Sequence, residues 1–201
     1  EHTSPMTTTI FLLRHAHTTA SPHYAPDFNW PLDRLGQTQA GQLVTVLGDL
    51  GIEGIYSSPQ TRAMETTAPY AEATGIPAQA VDGLAECAFN RVWAVDFLDL
   101  VRRHWSDFDY SMPNCESHRM CQSRFLRTLH EIAGANFGKA LICCSGGQAI
   151  SLALQSIDPS VGYEDWANIS APDIYKLDWD GERLGWDRSY VFGGPESLLS
   201  D

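Results

Sequence analysis

Two hydrophobic periodicities alternate along the chain. Thr7 to Leu13 (TTTIFLL) is β-rich and apolar on both faces, the pattern of a strand covered by helices on either side, and it ends in Arg14-His15. Beyond a proline-rich loop from Ala20 to Leu35, apolar residues recur at Ala40, Leu43, Val44, Leu47 and Leu50, one face of a helix that Gly51 closes. Ile55-Tyr56 predict a short second strand. Ser58 and Pro59 then offer an N-cap and a first-turn proline for a helix running to about Gly75, with a kink expected at Pro69.

The stretch 89–113 is the least regular. It holds an aromatic-rich helical piece (WAVDFLDLVRRHW) and a loop, and reads as an excursion over the site. Its aromatic residues Trp93, Phe97, Trp105, Phe108 and Tyr110 suit either a substrate-shaping lid or ordinary core packing. Ser117 caps a helix whose buried face is Phe125, Leu129, Ile132 and Ala133. A strand Ala140–Cys144 and a helix from about Gly147 to Ile157 follow. The tail IYKLDWDGERLGWD alternates as a hairpin turning at Asp180-Gly181. Strands alternating with helices predict one α/β domain of three layers, α/β/α, around a mostly parallel sheet, with ligands at the carboxyl ends of the strands. Two of those ends are Arg14-His15 and Ser145-Gly146.

The chain of 201 residues is long enough for one sizeable core. Met6 reads as a start, so residues 1–5 are set aside as an expression remnant. With 25 acidic against 13 basic residues the formal charge is -12, which argues against nucleic acid and anionic membrane surfaces as partners. An anionic ligand must be captured by local cations. No apolar run has the length of a membrane span, and the five cysteines show no CxxC or zinc spacing. Reduced thiols in a cytoplasmic protein are the expectation, with Cys143 and Cys144 in the core. The oligomeric state is left open, a homodimer included.

The local cations are found at two strand ends. RHAHT (14–18) ends the first strand, and SSPQTRAMETTA puts Arg62 on the first turn of the helix after the second. Two guanidiniums and an imidazole at the sheet rim make a dianion pocket, because the planar Arg fork donates bidentately to phosphate oxygens. The segments LLRHAHT, PLDRLGQTQA, YSSPQTRAMETTA, GLAEC, Glu116-Ser117 and CSGG occur in the order found in the histidine phosphatase superfamily, and from Thr8 to Trp186 the chain resembles its phosphoglycerate-mutase-like fold. The resemblance implies that His15 is the phospho-accepting nucleophile, that Arg14 and Arg62 bind the phosphoryl group, and that Glu86 is the proton donor to the leaving oxygen. A neutral imidazole with a fixed tautomer can attack phosphorus, and a nearby carboxyl can protonate the leaving oxygen and then activate water. The reading is of a metal-independent phosphatase of a small phosphorylated metabolite, with no cofactor.

The sequence departs from the family pattern at four positions. Ser145 stands where the family has a second histidine, Ser21 where Asn is frequent, Ala16 where glycine often follows the nucleophile, and Cys115 where glycine precedes Glu-Ser. Losing a preorganised donor costs on the order of 10²–10³ in rate. Ser145 therefore points to slowed or altered chemistry, to a silent binder of an anionic ligand, or to a residue introduced to trap a complex. Backbone N–H groups of the Ser145-Gly146-Gly147 turn, with Ser21 and His17, remain candidate substrate contacts. As a plain alternative, Ser145 is a helix N-cap.

Two other chemistries match parts of the sequence. CCSGG partly matches the G-x-S-x-G elbow of serine hydrolases, but that order needs a later histidine and the last one is His130. His15 and His17, with His23 and Asp27, resemble a metallohydrolase pair, yet Arg62 and Ser145 at the other strand ends are no zinc ligands. Arg91, Arg102, Arg103 and Arg119 suit a second anionic group or a solvated face.

Overall fold

The computed structural model describes residues 6–19, 30–89 and 97–199, and the elements run β1 (Thr8–Arg14), α1 (Arg34–Gly48), β2 (Gly54–Ser57), α2 (Thr61–Thr74), β3 (Ala78–Ala80), α3 (Phe97–Ser106), α4 (His118–Ala135), β4 (Ala140–Ser145), α5 (Gly147–Ile157), α6 (Tyr163–Asn168), β5 (Asp173–Trp179) and β6 (Leu184–Trp186). One six-stranded sheet has the order β3-β2-β4-β1-β5-β6. Its first four strands are parallel, and β5 and β6 add an antiparallel edge. That mixed edge follows from the tail hairpin, where Asp180 Oδ1 accepts from the Glu182 and Arg183 amides and tightens the turn.

Alternation along the central strands builds both outer layers. Ile10 and Leu12 of β1, with Leu141 and Cys143 of β4, face a core formed with Phe125, Leu129, Ala149 and Ile150 of α4 and α5. Phe11, Leu13, Ile142 and Cys144 face Leu43, Leu47, Ala63 and Tyr70 of α1 and α2. The middle of each strand, Ile10–Leu13 and Leu141–Cys144, is thus apolar on both faces because both faces are covered. Cys143 and Cys144 are core residues, as expected.

Two local expectations change, the start of α2 and the state of the cysteines. Helix α2 begins at Thr61 with Gln60 as its cap residue, not at Ser58-Pro59, because Ser58 still belongs to the sheet rim, its amide donating to the Cys144 carbonyl at 2.8 Å. The helix runs on through Pro69 to Thr74 and ends at Gly75, whose φ of 72° is one that glycine adopts without steric cost. The cysteines are not all reduced. Cys87 and Cys121 form a disulfide, while Cys115, Cys143 and Cys144 are free. The two partners are 34 residues apart in sequence and only the packing of α4 brings their Cα atoms to 5.5 Å, so no short spacing motif announces them.

Candidate active site

β1 and β4 end side by side, with Arg14 paired to Ser145 in register and the His15 amide donating to the Ser145 carbonyl at 3.0 Å. The next residue is anchored from the other strand end, since Ala16 N–H donates to Thr66 Oγ1 of α2 at 2.9 Å, and Thr66 in turn donates to the Arg62 carbonyl at 2.7 Å. His15 is 7% exposed and Arg62 4% exposed. The Arg62 guanidinium also lies over the Trp30 ring, 5.6 Å from its centroid.

His15 Nδ1 is 2.8 Å from the Ala16 carbonyl oxygen. A carbonyl only accepts, so Nδ1 carries the proton and the lone pair is on Nε2. Burial, then the charges of Arg62 and Arg14, push the His15 pKa down to about 3 against the opposing pull of the Ala16 bond. The ring is therefore neutral at physiological pH and nucleophilic at one defined atom.

Arg14 donates through Nη1 to the Ile169 carbonyl and to the Ser170 carbonyl at 3.0 Å. Its Nε is buried and has no acceptor. A Cβ on Gly147 would come within 3.0 Å of that Nε, so the guanidinium rests against a backbone where a side chain would intrude.

The Glu86 carboxylate is seated on the N-terminus of α5. Its Oε1 accepts from Ala149 N–H at 2.7 Å and its own neighbour Cys87 N–H at 2.8 Å, and Oε2 accepts from Gln148 N–H at 2.9 Å. A Cβ on Gly146 would overlap this carboxylate, which is why the turn needs glycine there. Two first-turn amides of α5 are thereby given to Glu86. Gln60 completes the frame, its side-chain oxygen accepting the Glu86 amide at 3.0 Å.

Ser145 is fully buried and donates its hydroxyl to the Leu84 carbonyl at 2.6 Å. It is the last residue of β4, and Gly146 is the N-cap of α5, so Ser145 is neither a helix cap nor an exposed nucleophile. His17 is half-exposed with Nδ1 at 2.6 Å from Asp33 Oδ2, the carboxylate that caps α1. Ser21, His23, Asp27, Arg91 and Trp93 lie outside the described residues.

In the described part of the segment expected to be an excursion, α3 buries Val101 and His104, and Trp105 and Phe108 pack edge-on against His118 at the start of α4 with centroids 5.1 and 5.4 Å apart. Arg102 pairs with Asp99 and Arg119 with Asp109 at the exposed surface. Among the described residues, one set of potential metal donors converges within 4.8 Å, Cys87, Glu116 and Cys121. The two sulfurs are bonded to each other and Glu116 is paired with Arg124 at 2.7 Å, so the set is already satisfied without an ion. Among the described residues no helix is long and apolar enough to cross a membrane.

Several of these roles have no isolated signal in the sequence. The Ile169 and Ser170 carbonyls that hold Arg14 lie more than 150 positions away from it and act through backbone atoms. Gln60, Thr66 and Glu116, by contrast, sit inside the quoted motifs, and only their partners were hidden.

Comparison with known proteins gives the family and agrees with the fold. The model of the histidine phosphatase superfamily, branch 1, matches residues 10–190. Among solved structures, the chain is similar to phosphoglycerate mutase from Bacillus anthracis (TM-score 0.75, 17% identity, 98% of each chain covered). It is likewise similar to the mycobacterial glucosyl-3-phosphoglycerate phosphatase in complex with inorganic phosphate (TM-score 0.73, 17% identity, 96% of this chain and 99% of that one). A third, YhfR of Bacillus stearothermophilus, has a TM-score of 0.72 at 20% identity over 93% of this chain and 97% of that one. No curated protein matches the sequence.

Proposed function

Because the chain belongs to the histidine phosphatase superfamily, branch 1, we propose that it hydrolyses the phosphate ester of a small anionic metabolite through a phosphohistidine at His15. The observation that carries this reading is the neutral His15 ring, its tautomer set by the Ala16 carbonyl, beside two arginines whose charges it feels. Arg14 Nε, a buried donor without an acceptor, is matched to an oxygen of the phosphoryl group. Some structural neighbours bear the names of a phosphoglycerate mutase and of a phosphatase of a phosphorylated glycerate, which supports a small phosphorylated substrate.

In the proposed sequence, the Nε2 lone pair attacks phosphorus and the P–O bond to the leaving group breaks, while Glu86, starting in its protonated form, gives its proton to that oxygen and becomes the carboxylate. Water then attacks the phosphohistidine, Glu86 takes the water's proton, and the P–N bond breaks to return neutral His15. Arg14 and Arg62 hold the non-bridging oxygens as charge is redistributed. Each step uses side chains of this chain alone, and the reading includes metal independence. It also includes a slow rate. The Ser145 hydroxyl is given to Leu84 and two α5 amides are given to Glu86, so none of these is open to the phosphoryl group.

The same commitments favour one other reading, a binder of phosphate or carboxylate with no turnover. Phosphate release from an aryl phosphate by the unaltered protein and by His15→Ala separates the two. Release that disappears in His15→Ala supports the phosphatase. Phosphate binding without release in either protein supports the binder, and release that survives in His15→Ala removes His15 from the nucleophile's role.

A further inference from the structure

The segment that carries Glu86 has no helix or strand of its own beyond a single 3-10 turn, Asp82–Leu84. Besides Ser145 on Leu84 and Gln60 on the Glu86 amide, it is held by a side chain 38 positions away. Arg124, on α4, donates through Nη1 to the Gly83 carbonyl and to the Ala85 carbonyl, both at 2.9 Å. The same guanidinium reaches Glu116 twice, Nε to Oε1 at 2.8 Å and Nη2 to Oε2 at 2.7 Å. Glu116 passes the grip back to the segment, because its Oε2 accepts from Ala88 N–H at 3.1 Å while its own amide donates to the Ala88 carbonyl at 2.9 Å. Residues 83, 85 and 88 are therefore fastened on both sides of Glu86 by one ion pair whose side chains are only about a fifth exposed, 22% and 19%.

We propose that Arg124 is a positioning residue for proton transfer: it touches no substrate, but its bonds to the Gly83 and Ala85 carbonyls set where the Glu86 carboxylate stands. This rests on the reading of Glu86 as the proton-transfer group. A partly buried ion pair yields little net stability once desolvation is counted, so stability alone gives a weak reason for this arrangement. What the planar fork does supply is geometry. It satisfies a carboxylate bidentately and two carbonyls at once, which the point charge of a lysine does not do. The Cys87–Cys121 disulfide tethers the same segment to α4 independently, so removing Arg124 loosens Glu86 without detaching the segment.

The test uses Arg124→Ala and Arg124→Lys in the 201-residue chain, with thermal unfolding to confirm that both are folded. Two substrates are compared, p-nitrophenyl phosphate, whose leaving group needs little protonation, and an alkyl phosphate, whose leaving group needs much. The expected result is a loss of kcat of about 10²-fold on the alkyl ester, less than tenfold on the aryl ester, and little change in KM, since general acid catalysis contributes on the order of 10²–10⁴. Added guanidinium ion should restore part of the loss in Arg124→Ala. A readout independent of turnover is hydrogen exchange at the Gln148 and Ala149 amides, which donate to Glu86 and should exchange faster in both variants. Should the unaltered protein release no phosphate from any ester, the phosphatase reading fails while the amide exchange still decides whether Arg124 positions Glu86. Equal losses on both esters together with unchanged amide exchange would overturn the proposal.

Discussion

The Ser145 hydroxyl donates to the Leu84 carbonyl at 2.6 Å, so the serine at the end of β4 is turned toward the segment carrying Glu86. Ser145 and Leu84 are both fully buried, so a histidine ring at 145 would have to displace its surroundings. Ser145→His is therefore expected to lower stability by about 1–3 kcal/mol through overpacking and to leave phosphate release no faster. Denaturant unfolding and the aryl phosphate assay check both halves. A stable variant with activity raised by orders of magnitude would show that the pocket accepts the missing ring.

Replacing Arg62 by lysine keeps the charge and removes the fork. The expected loss in kcat/KM is on the order of 10²-fold, because bidentate contact with the phosphoryl oxygens is lost while the substrate's attraction to the pocket remains. Steady-state kinetics on the aryl ester measures it. In the same assay, dialysis against a chelator should leave the rate unchanged. A loss restored by a divalent cation would contradict the metal-independent mechanism.

Acid should weaken the fold before the carboxylates titrate. His15 and His118 are each held neutral to about pH 3, chiefly by burial, whereas both rings take up a proton near pH 6.5 when unfolded. The unfolded state therefore binds more protons between those values, and stability is complete above pH 6.5 and is lost as pH falls from there toward 3. The slope is up to roughly 1.4 kcal/mol per pH unit for each histidine. Unfolding midpoints between pH 6.5 and 4.5 test this, and His118→Gln should about halve the slope. A stability independent of pH in that window would show that neither ring is held neutral by the fold.

Thiol counting tests the crosslink. Denatured protein without reductant should show three reactive thiols, Cys115, Cys143 and Cys144, and all five once reduced. In the native fold Cys143 and Cys144 should resist alkylation, since burial pushes both thiols well above their ordinary range. Reduction of Cys87–Cys121, which are 34 positions apart, should cost roughly 3–4 kcal/mol of stability. Five thiols without reductant would remove the crosslink from the account.

Much of the fold could be read in the chain because periodicity survives burial. The double-sided strand ending at Arg14, the helix Gly147–Ile157 and the hairpin at Asp180-Gly181 all formed where the pattern placed them. Helix α2 started late because Ser58 was claimed by a sheet contact that no local rule anticipates. Strand β3 and helix α6, at three and six residues, are too short to show a period. At the site, Arg14, His15 and Arg62 stand out as residue types at strand ends, whereas Glu86 is singled out only by the family resemblance. Their holders do not stand out, because backbone carbonyls at 169 and 170 and the α5 amides carry no side-chain signature. The expectation of reduced cysteines failed because only the packing of α4 brings Cys121 to Cys87, and with it goes the support that thiol state lent to a cytoplasmic setting.

The most direct test of the mechanism is chemical capture of the intermediate. Rapid mixing with an aryl phosphate followed by an alkaline quench should yield protein bearing one phosphoryl group, lost in acid, on the peptide that contains His15, and His15→Ala should yield none. Phosphate release at the same rate with no adduct at His15, or with the adduct on another residue, would contradict the account.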